Sequence, residues 1–271
     1  MNHPIAFIGG GNMASAIISG LLAQGHPREQ LSVVEPWPEA RERLQAQFAL
    51  AALALPGPAL AQAAIVVWAI KPQTFREAAL QASSFTRTAL HLSVAAGIPS
   101  DSIARWLGSE RVVRAMPNTP ALIGKGITAL YARPGITDAQ REQVAQVIAA
   151  TGEYLWVEHE AQLDAVTALS GSGPAYVYYF LEAMTQAGAD MGLRREDAYR
   201  LAVSTFIGAA ELARASSEPP QVLRQRVTSK GGTTHAAITS MDAADIKVSF
   251  AKALHAARAR AQELGLEFGG S

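Results

Sequence analysis

The residue types that could do chemistry in this chain are glycines and hydroxyls in short loops rather than paired acids and bases. Gly9, Gly11 and Ala14 meet the G-x-G-x-x-G/A spacing inside Ile5-Ala6-Phe7-Ile8-Gly9-Gly10-Gly11-Asn12-Met13-Ala14. Glycines so placed let backbone amides approach a pyrophosphate, and a following helix presents its positive end to the anion. An apolar run precedes the turn, and helical periodicity over Asn12 to Gln24 follows it, with Ala16, Ile17, Leu21 and Leu22 on one face. That context favours a dinucleotide site over a plain tight turn. Glu35 closes the short apolar run from Leu31. An acid at that point accepts hydrogen bonds from an adenosine ribose and repels a 2′-phosphate, which leans towards NAD over NADP; an exposed strand-end carboxylate is the plainer alternative. Lys71 follows the apolar run Ile65 to Ile70, and Asn118 and Thr119 lie between Pro117 and Pro120. Both stretches fall at the carboxyl ends of parallel strands, the edge where open α/β sheets bind ligands, although a solvated lysine and a stiff connector would look the same.

Two further loops lie in the second half of the chain. In Ser170-Gly171-Ser172-Gly173-Pro174, small residues would let a helix begin close to a ligand. In Val227-Thr228-Ser229-Lys230-Gly231-Gly232-Thr233-Thr234-His235, a Gly-Gly pair opens a helix whose free amides, with the hydroxyls of Ser229, Thr233 and Thr234, suit a small carboxylate. As pattern alone, each is equally a capped helix start.

The elements that must position these groups fall into two kinds. Strand-like and helix-like stretches alternate to about residue 158, which predicts a doubly wound sheet. Ala49 to Leu53 reads as a weak third strand, and Ser100 or Asp101 as the cap of the helix running to Leu107. From Glu160 onward only alanine-rich helical periodicity remains. The expected fold class is therefore α/β: a Rossmann-like domain over residues 1–158, then an all-helical domain over 159–271. Ala175 to Met191 and Ala198 to Ala213 carry few charges, so these helices are expected to pack against a second copy of the chain, burial against the first domain being the alternative.

The 271 residues are 49% hydrophobic, enough for a sizeable core, and Lys+Arg and Asp+Glu balance at 23 each. No global positive field exists to hold nucleic acid or an anionic membrane, and neither is expected as a partner. The absence of cysteine removes disulfides, thiolate metal sites and cysteine nucleophiles, and no metal site is expected. With no signal-like segment and no apolar run of membrane-spanning length, a cytoplasmic protein is expected.

Taken together, these motifs resemble the pyrroline-5-carboxylate reductases. Phe7 to Met13 is similar to that family's cofactor loop and Ala69-Ile70-Lys71-Pro72-Gln73 to its second cofactor-side loop. Arg114 to Pro120, Leu169 to Tyr176 and Val227 to Thr234 are similar to its remaining signatures, and the resemblance runs through the whole chain in order. It implies a nicotinamide-binding domain, a helical dimerisation domain interlocked with its partner, an active site between the two, and assembly as a dimer or as a group of dimers. It also implies the reaction: hydride transfer from NADPH or NADH to the C=N carbon of 1-pyrroline-5-carboxylate, giving L-proline, the last step of proline biosynthesis. By the same resemblance, Gly9, Gly11, Asn12, Met13, Lys71, Pro72 and Asn118 bind the cofactor, and Glu35 joins them by its place at the end of the second strand. Ser229, Gly231, Gly232 and Thr233 hold the substrate carboxylate, and Thr234 hydrogen-bonds the ring nitrogen as the catalytic hydroxyl. A protonated imine is already electrophilic, so no strongly shifted acid is needed, and His235 stays outside the catalytic set. Two positions depart from the family's pattern: Lys230 stands where proline is common, and Glu35 where NADPH-preferring members often carry small polar or basic residues. A β-hydroxyacid dehydrogenase would need a lysine acid/base that Tyr176 to Met184 lacks, and a nucleotide sensor without turnover is the remaining alternative.

Overall fold

The computed structural model describes residues 3–270. Apolar runs of four residues become strands buried on both faces: β1 (Ile5–Ile8), β2 (Leu31–Val34), β3 (Ile65–Trp68) and β4 (Leu90–Ser93). With β5 (Val112–Met116), β6 (Gly126–Ala132) and β7 (Gly152–Trp156) they form a seven-stranded sheet of order β2-β1-β3-β4-β5-β6-β7. Neighbouring strands are parallel except for β5 and β6, which are antiparallel. The crossovers are α1 (Asn12–Ala23), α2 (Pro38–Phe48), α3 (Pro72–Ala82), α4 (Ser100–Leu107) and α5 (Asp138–Ala149).

Alternation along the strands divides the core between the two faces of the sheet. Phe7, Val67 and Leu92 meet Ile17 and Leu21 of α1, Leu44 of α2 and Val147 of α5 on one face. Ile8, Val66 and Trp68 meet Phe75 of α3 and Ile103 and Trp106 of α4 on the other. Each of these large side chains contributes about 1.5–3 kcal/mol by leaving water. Thr137 starts α5 with a capping box shared with Gln140, so that helix begins one residue after its cap.

The weak third strand is reduced to a single parallel bridge between Val34 and Leu53. Neither Ser100 nor Asp101 caps α4. Pro99 occupies the cap position without a side-chain bond, and the Glu160 carboxylate, far along the chain, takes the Ser100 N–H instead.

The chain divides into two compact units, one running up to Ser172 together with the stretch from Ala257 onward, the other Gly173–Ala256. In the first unit, α6 (Gln162–Val166) runs into a π-helical turn at Thr167–Gly171. The second unit is helical: α7 (Gly173–Asp190), α8 (Arg195–Ala215), α9 (Pro220–Arg226), α10 (Thr233–Ala243) and the first part of α11 (Ile246–Gly269). Here α7 and α8 pack through small residues, with Gly188 against Ala198, and Phe250 meets Tyr176 and Phe180 edge-on. Few side chains of this unit are buried, while Tyr179 is 69% and Leu212 73% exposed. No helix among the described residues is long and apolar enough to cross a membrane.

Candidate functional site

The glycine turn is shaped by what surrounds it. Gly9 has φ +97°, and a Cβ there would lie 2.5 Å from the Ala69 carbonyl oxygen, so no L side chain fits without moving β3's exit. At Gly10 a Cβ would meet Leu44, whereas the space beside Gly11 is open. Gly11 caps α1 without a side-chain bond, and no acid occupies the first turn. The helix therefore presents unneutralised N–H groups and its positive end to an open face, the arrangement that accepts a phosphate group. Asn12 is exposed at that opening, and Met13 packs partly against the core beneath it.

Glu35 is not an exposed strand-end carboxylate. It is 6% exposed; Gly10 N–H donates to its Oε2 at 2.7 Å, and Trp37 N–H to its Oε1 at 3.0 Å. The acid at the end of β2 thereby holds the glycine turn in place, and each oxygen keeps a further lone pair for a ribose hydroxyl. Arg41 supports the same corner, its Nη1 donating to the carbonyls of Glu35 and Pro36. Sequence reasoning missed Arg41, because nothing marks it apart from other charges on α2. Trp37, between two prolines, is 69% exposed at this end of the sheet.

Lys71 is the exposed N-cap of α3, with Pro72 at the first helical position. Asn118 is half-buried, and its Oδ1 accepts from Ile127 N–H at 3.0 Å, fixing the start of β6. Its NH2 group is the part available to a ligand. Within Ser170-Gly171-Ser172-Gly173-Pro174 the expected helix start is found, α7 opening at Gly173, but Ser170 and Gly171, read from sequence as loop, belong to the π-helical turn, and Ser172 alone lies outside both helices. The Ser172 N–H reaches the Thr167 carbonyl at 2.8 Å, five residues back, and Gly171 leaves room for the Met116 methyl group. The wide turn follows from Pro174, which has no N–H for the helical ladder and whose ring crowds the preceding turn.

In the second unit, Gly231 takes φ +77° and the Gly232 N–H closes a turn onto the Ser229 carbonyl at 3.0 Å. That amide, expected to face a carboxylate, is thus engaged within the loop. A Cβ at Gly232 would lie 2.7 Å from Ser229 Oγ, so glycine is what lets the hydroxyl sit over the helix start. Gly232 caps α10 without a side-chain bond, leaving the N–H groups of Thr233 and Thr234 in the unpaired first turn. Ser229, Lys230, Gly231, Thr233 and His235 are exposed and Thr234 is half-buried. The loop gathers three hydroxyls and free amides with no acid in the first turn, a set that can hold a carboxylate. Among the described residues no cluster of His, Asp and Glu could hold a metal ion.

A mostly parallel sheet whose order reverses beside β1, with an uncapped glycine turn at that strand's carboxyl end and an acid at the end of the next, defines a dinucleotide-binding domain of the oxidoreductase class. Residues 4–97 match the family model described as NADP oxidoreductase coenzyme F420-dependent, and residues 160–264 that of pyrroline-5-carboxylate reductase dimerisation. The chain is 46% identical over 267 residues to the pyrroline-5-carboxylate reductase of Pseudomonas aeruginosa, covering 98% of each, and 41% identical to that of Haemophilus influenzae, covering 97% of this chain and 98% of the relative. A solved pyrroline-5-carboxylate reductase from Coxiella burnetii superposes with a TM-score of 0.90 at 34% identity, covering 97% of this chain and 99% of that one. The Plasmodium falciparum pyrroline carboxylate reductase, solved with NADP bound, gives 0.87 at 28% identity, covering 97% and 98%. The chain belongs to the pyrroline-5-carboxylate reductase family.

Proposed function

We propose that this chain reduces 1-pyrroline-5-carboxylate to L-proline with NADPH or NADH. The observation that carries the reading is the built dinucleotide turn, with Gly9 against Ala69 and Gly10 on Glu35; the helical unit separately carries an uncapped hydroxyl-rich helix start at Ser229–Thr234. Residues 1–158 supply the dinucleotide half and residues 159–271 the helical half.

The open space at Gly11 and the free first turn of α1 fit a dinucleotide pyrophosphate. In this reading Gly9, Gly11, Asn12 and Met13 line the pyrophosphate, Glu35 takes the ribose hydroxyls, and Lys71, Pro72 and the Asn118 amide flank the remainder. When bound, the reduced nicotinamide supplies the hydride. The protein's own work is binding and orientation. The Ser229 hydroxyl with the amides of Gly231 and Thr233 holds the carboxylate, while Gly232 keeps the turn closed. The Thr234 hydroxyl hydrogen-bonds the ring nitrogen of the protonated imine, which becomes an uncharged secondary amine as the hydride reaches the adjacent carbon. Lys230 adds a positive charge beside the carboxylate subsite.

A second copy of the chain covers the apolar faces of α7 and α8. The 610 Å³ cleft between α7 and α8, lined by Tyr178, Leu181, Thr185 and Tyr199 together with the charged Glu182, Arg195 and Glu196, contains none of the candidate site residues. The test is oxidation of NADPH and of NADH by purified protein with 1-pyrroline-5-carboxylate, proline being quantified as product. Cofactor oxidation matched by equal proline supports the reading; cofactor binding without turnover removes it in favour of a nucleotide sensor.

A further inference from the structure

Glu160 links two loops of the ligand edge that no local sequence feature connects. Its Oε1 accepts from Arg114 Nη1 at 2.7 Å and from Ser100 N–H at 2.6 Å, and its Oε2 from Ser100 Oγ at 2.6 Å. Arg114 lies on β5, two residues before Met116-Pro117-Asn118, and is 6% exposed. Ser100 opens α4 directly after the loop Val94–Pro99 that leaves β4. Glu160 therefore supplies the cap that α4 lacks and neutralises a buried guanidinium with the same carboxylate. Charge-assisted bonds of this kind are about twice as strong as neutral ones. Arg133 reinforces the node, donating to Ser100 Oγ at 3.1 Å while pairing with Asp101 and Glu110.

The sheet order gives these loops a place in dinucleotide binding. β2 and β1 lie on one side of the reversal and carry the adenosine and pyrophosphate elements; β3, β4 and β5 lie on the other. A dinucleotide laid across the crevice puts its nicotinamide half over the latter strands. The loops need a tether there. Gly97 has φ +83° and packs against Leu264 and Gly265, and an open cleft of 460 Å³ bounded by Gly97, Pro99, Arg114, Glu160, Asp164 and Gly265 lies beside the Glu160 node.

We infer that Glu160 is a positioning residue for the nicotinamide half of the cofactor, acting through Ser100 and Arg114. The inference rests on the dinucleotide reading of the site, and its test is separable from turnover. Dissociation constants for NADPH, for NADH and for ADP-ribose, which lacks the nicotinamide, are measured for the parent protein, Glu160→Gln and Ser100→Ala. Glu160→Gln should weaken binding of the reduced dinucleotides by about tenfold, the scale of a modest misplacement, and leave ADP-ribose within about twofold. Ser100→Ala, which removes the hydroxyl bonds to Glu160 and Arg133 and keeps the amide on Glu160, should shift binding in the same direction by about threefold, so a Glu160→Gln protein that failed to fold would not end the test. Equal weakening of all ligands, or no change in any, overturns the inference. A parent protein that binds the dinucleotides yet fails to turn over 1-pyrroline-5-carboxylate sinks the reductase reading and leaves this comparison intact.

Discussion

Lowering the pH should weaken the fold through one buried histidine. His91 lies in β4 with no exposed surface; Trp68 Nε1–H donates to its Nδ1 at 3.2 Å, and its Nε2 is buried without a hydrogen-bond partner. Burial first, and Arg111 second, lowers its pKa from 6.5 to about 4. The ring is thus neutral in the fold, with its proton on Nε2. Protonating Nδ1 would turn the acceptor of the Trp68 bond into a donor. Between pH 6.5 and 4 the unfolded chain binds the proton and the folded chain does not, so stability falls as the pH drops through that window. The loss approaches about 3 kcal/mol at pH 4, a substantial part of a total of about 5–15 kcal/mol for a typical protein. Urea unfolding from pH 7 to 4 measures it, with His91→Gln as reference, because the glutamine amide keeps an acceptor for Trp68 and does not titrate. Groups common to the two proteins titrate alike in both, so the difference isolates His91. Identical pH dependence in the two would refute the reasoning.

Glu35→Ser should raise the NADPH to NADH ratio of kcat/KM by removing a negative charge from the ribose corner. It should also lower both values, since Gly10 N–H loses its acceptor; an unchanged ratio would mean that the carboxylate serves the glycine turn alone. Thr234→Ala should lower kcat while leaving cofactor KM nearly unchanged, as expected for an interaction that matters most while charge changes on the ring nitrogen. Steady-state kinetics with each reactant varied separately reads that split. Gly9→Ala meets both a positive φ and the Ala69 carbonyl, and should cost about 2 kcal/mol or more in denaturant unfolding and greatly weaken dinucleotide binding.

The parts of this molecule that were legible in its sequence are those with local causes. Ile65 to Trp68 is an unbroken β-branched and aromatic run that only a strand buried on both faces accommodates, and the glycines after Ile8 announce a turn that side chains would obstruct. The antiparallel direction of β6 has a local cause too, since the connection from Met116 to Gly126 is shorter than the dozen or so residues that a parallel crossover needs. Ser170 to Pro174 looks like a loop on composition, yet all of it but Ser172 lies in helix, the π turn closing at Gly171 and α7 opening at Gly173. Glu35 was found by position, but its grip on Gly10 depends on the tertiary approach of two turns. Glu160 was missed altogether, since its partners lie 46 and 60 residues away and only the fold brings them together.

The most direct measurement is a turnover of 1-pyrroline-5-carboxylate with NADPH or NADH carrying deuterium at both positions of the nicotinamide C4, followed by locating the label in the product. The account predicts proline carrying one deuterium at the carbon that had been double-bonded to nitrogen, with the transfer rate reduced in Thr234→Ala. Proline without label at that carbon, or cofactor bound and never oxidised, would contradict it.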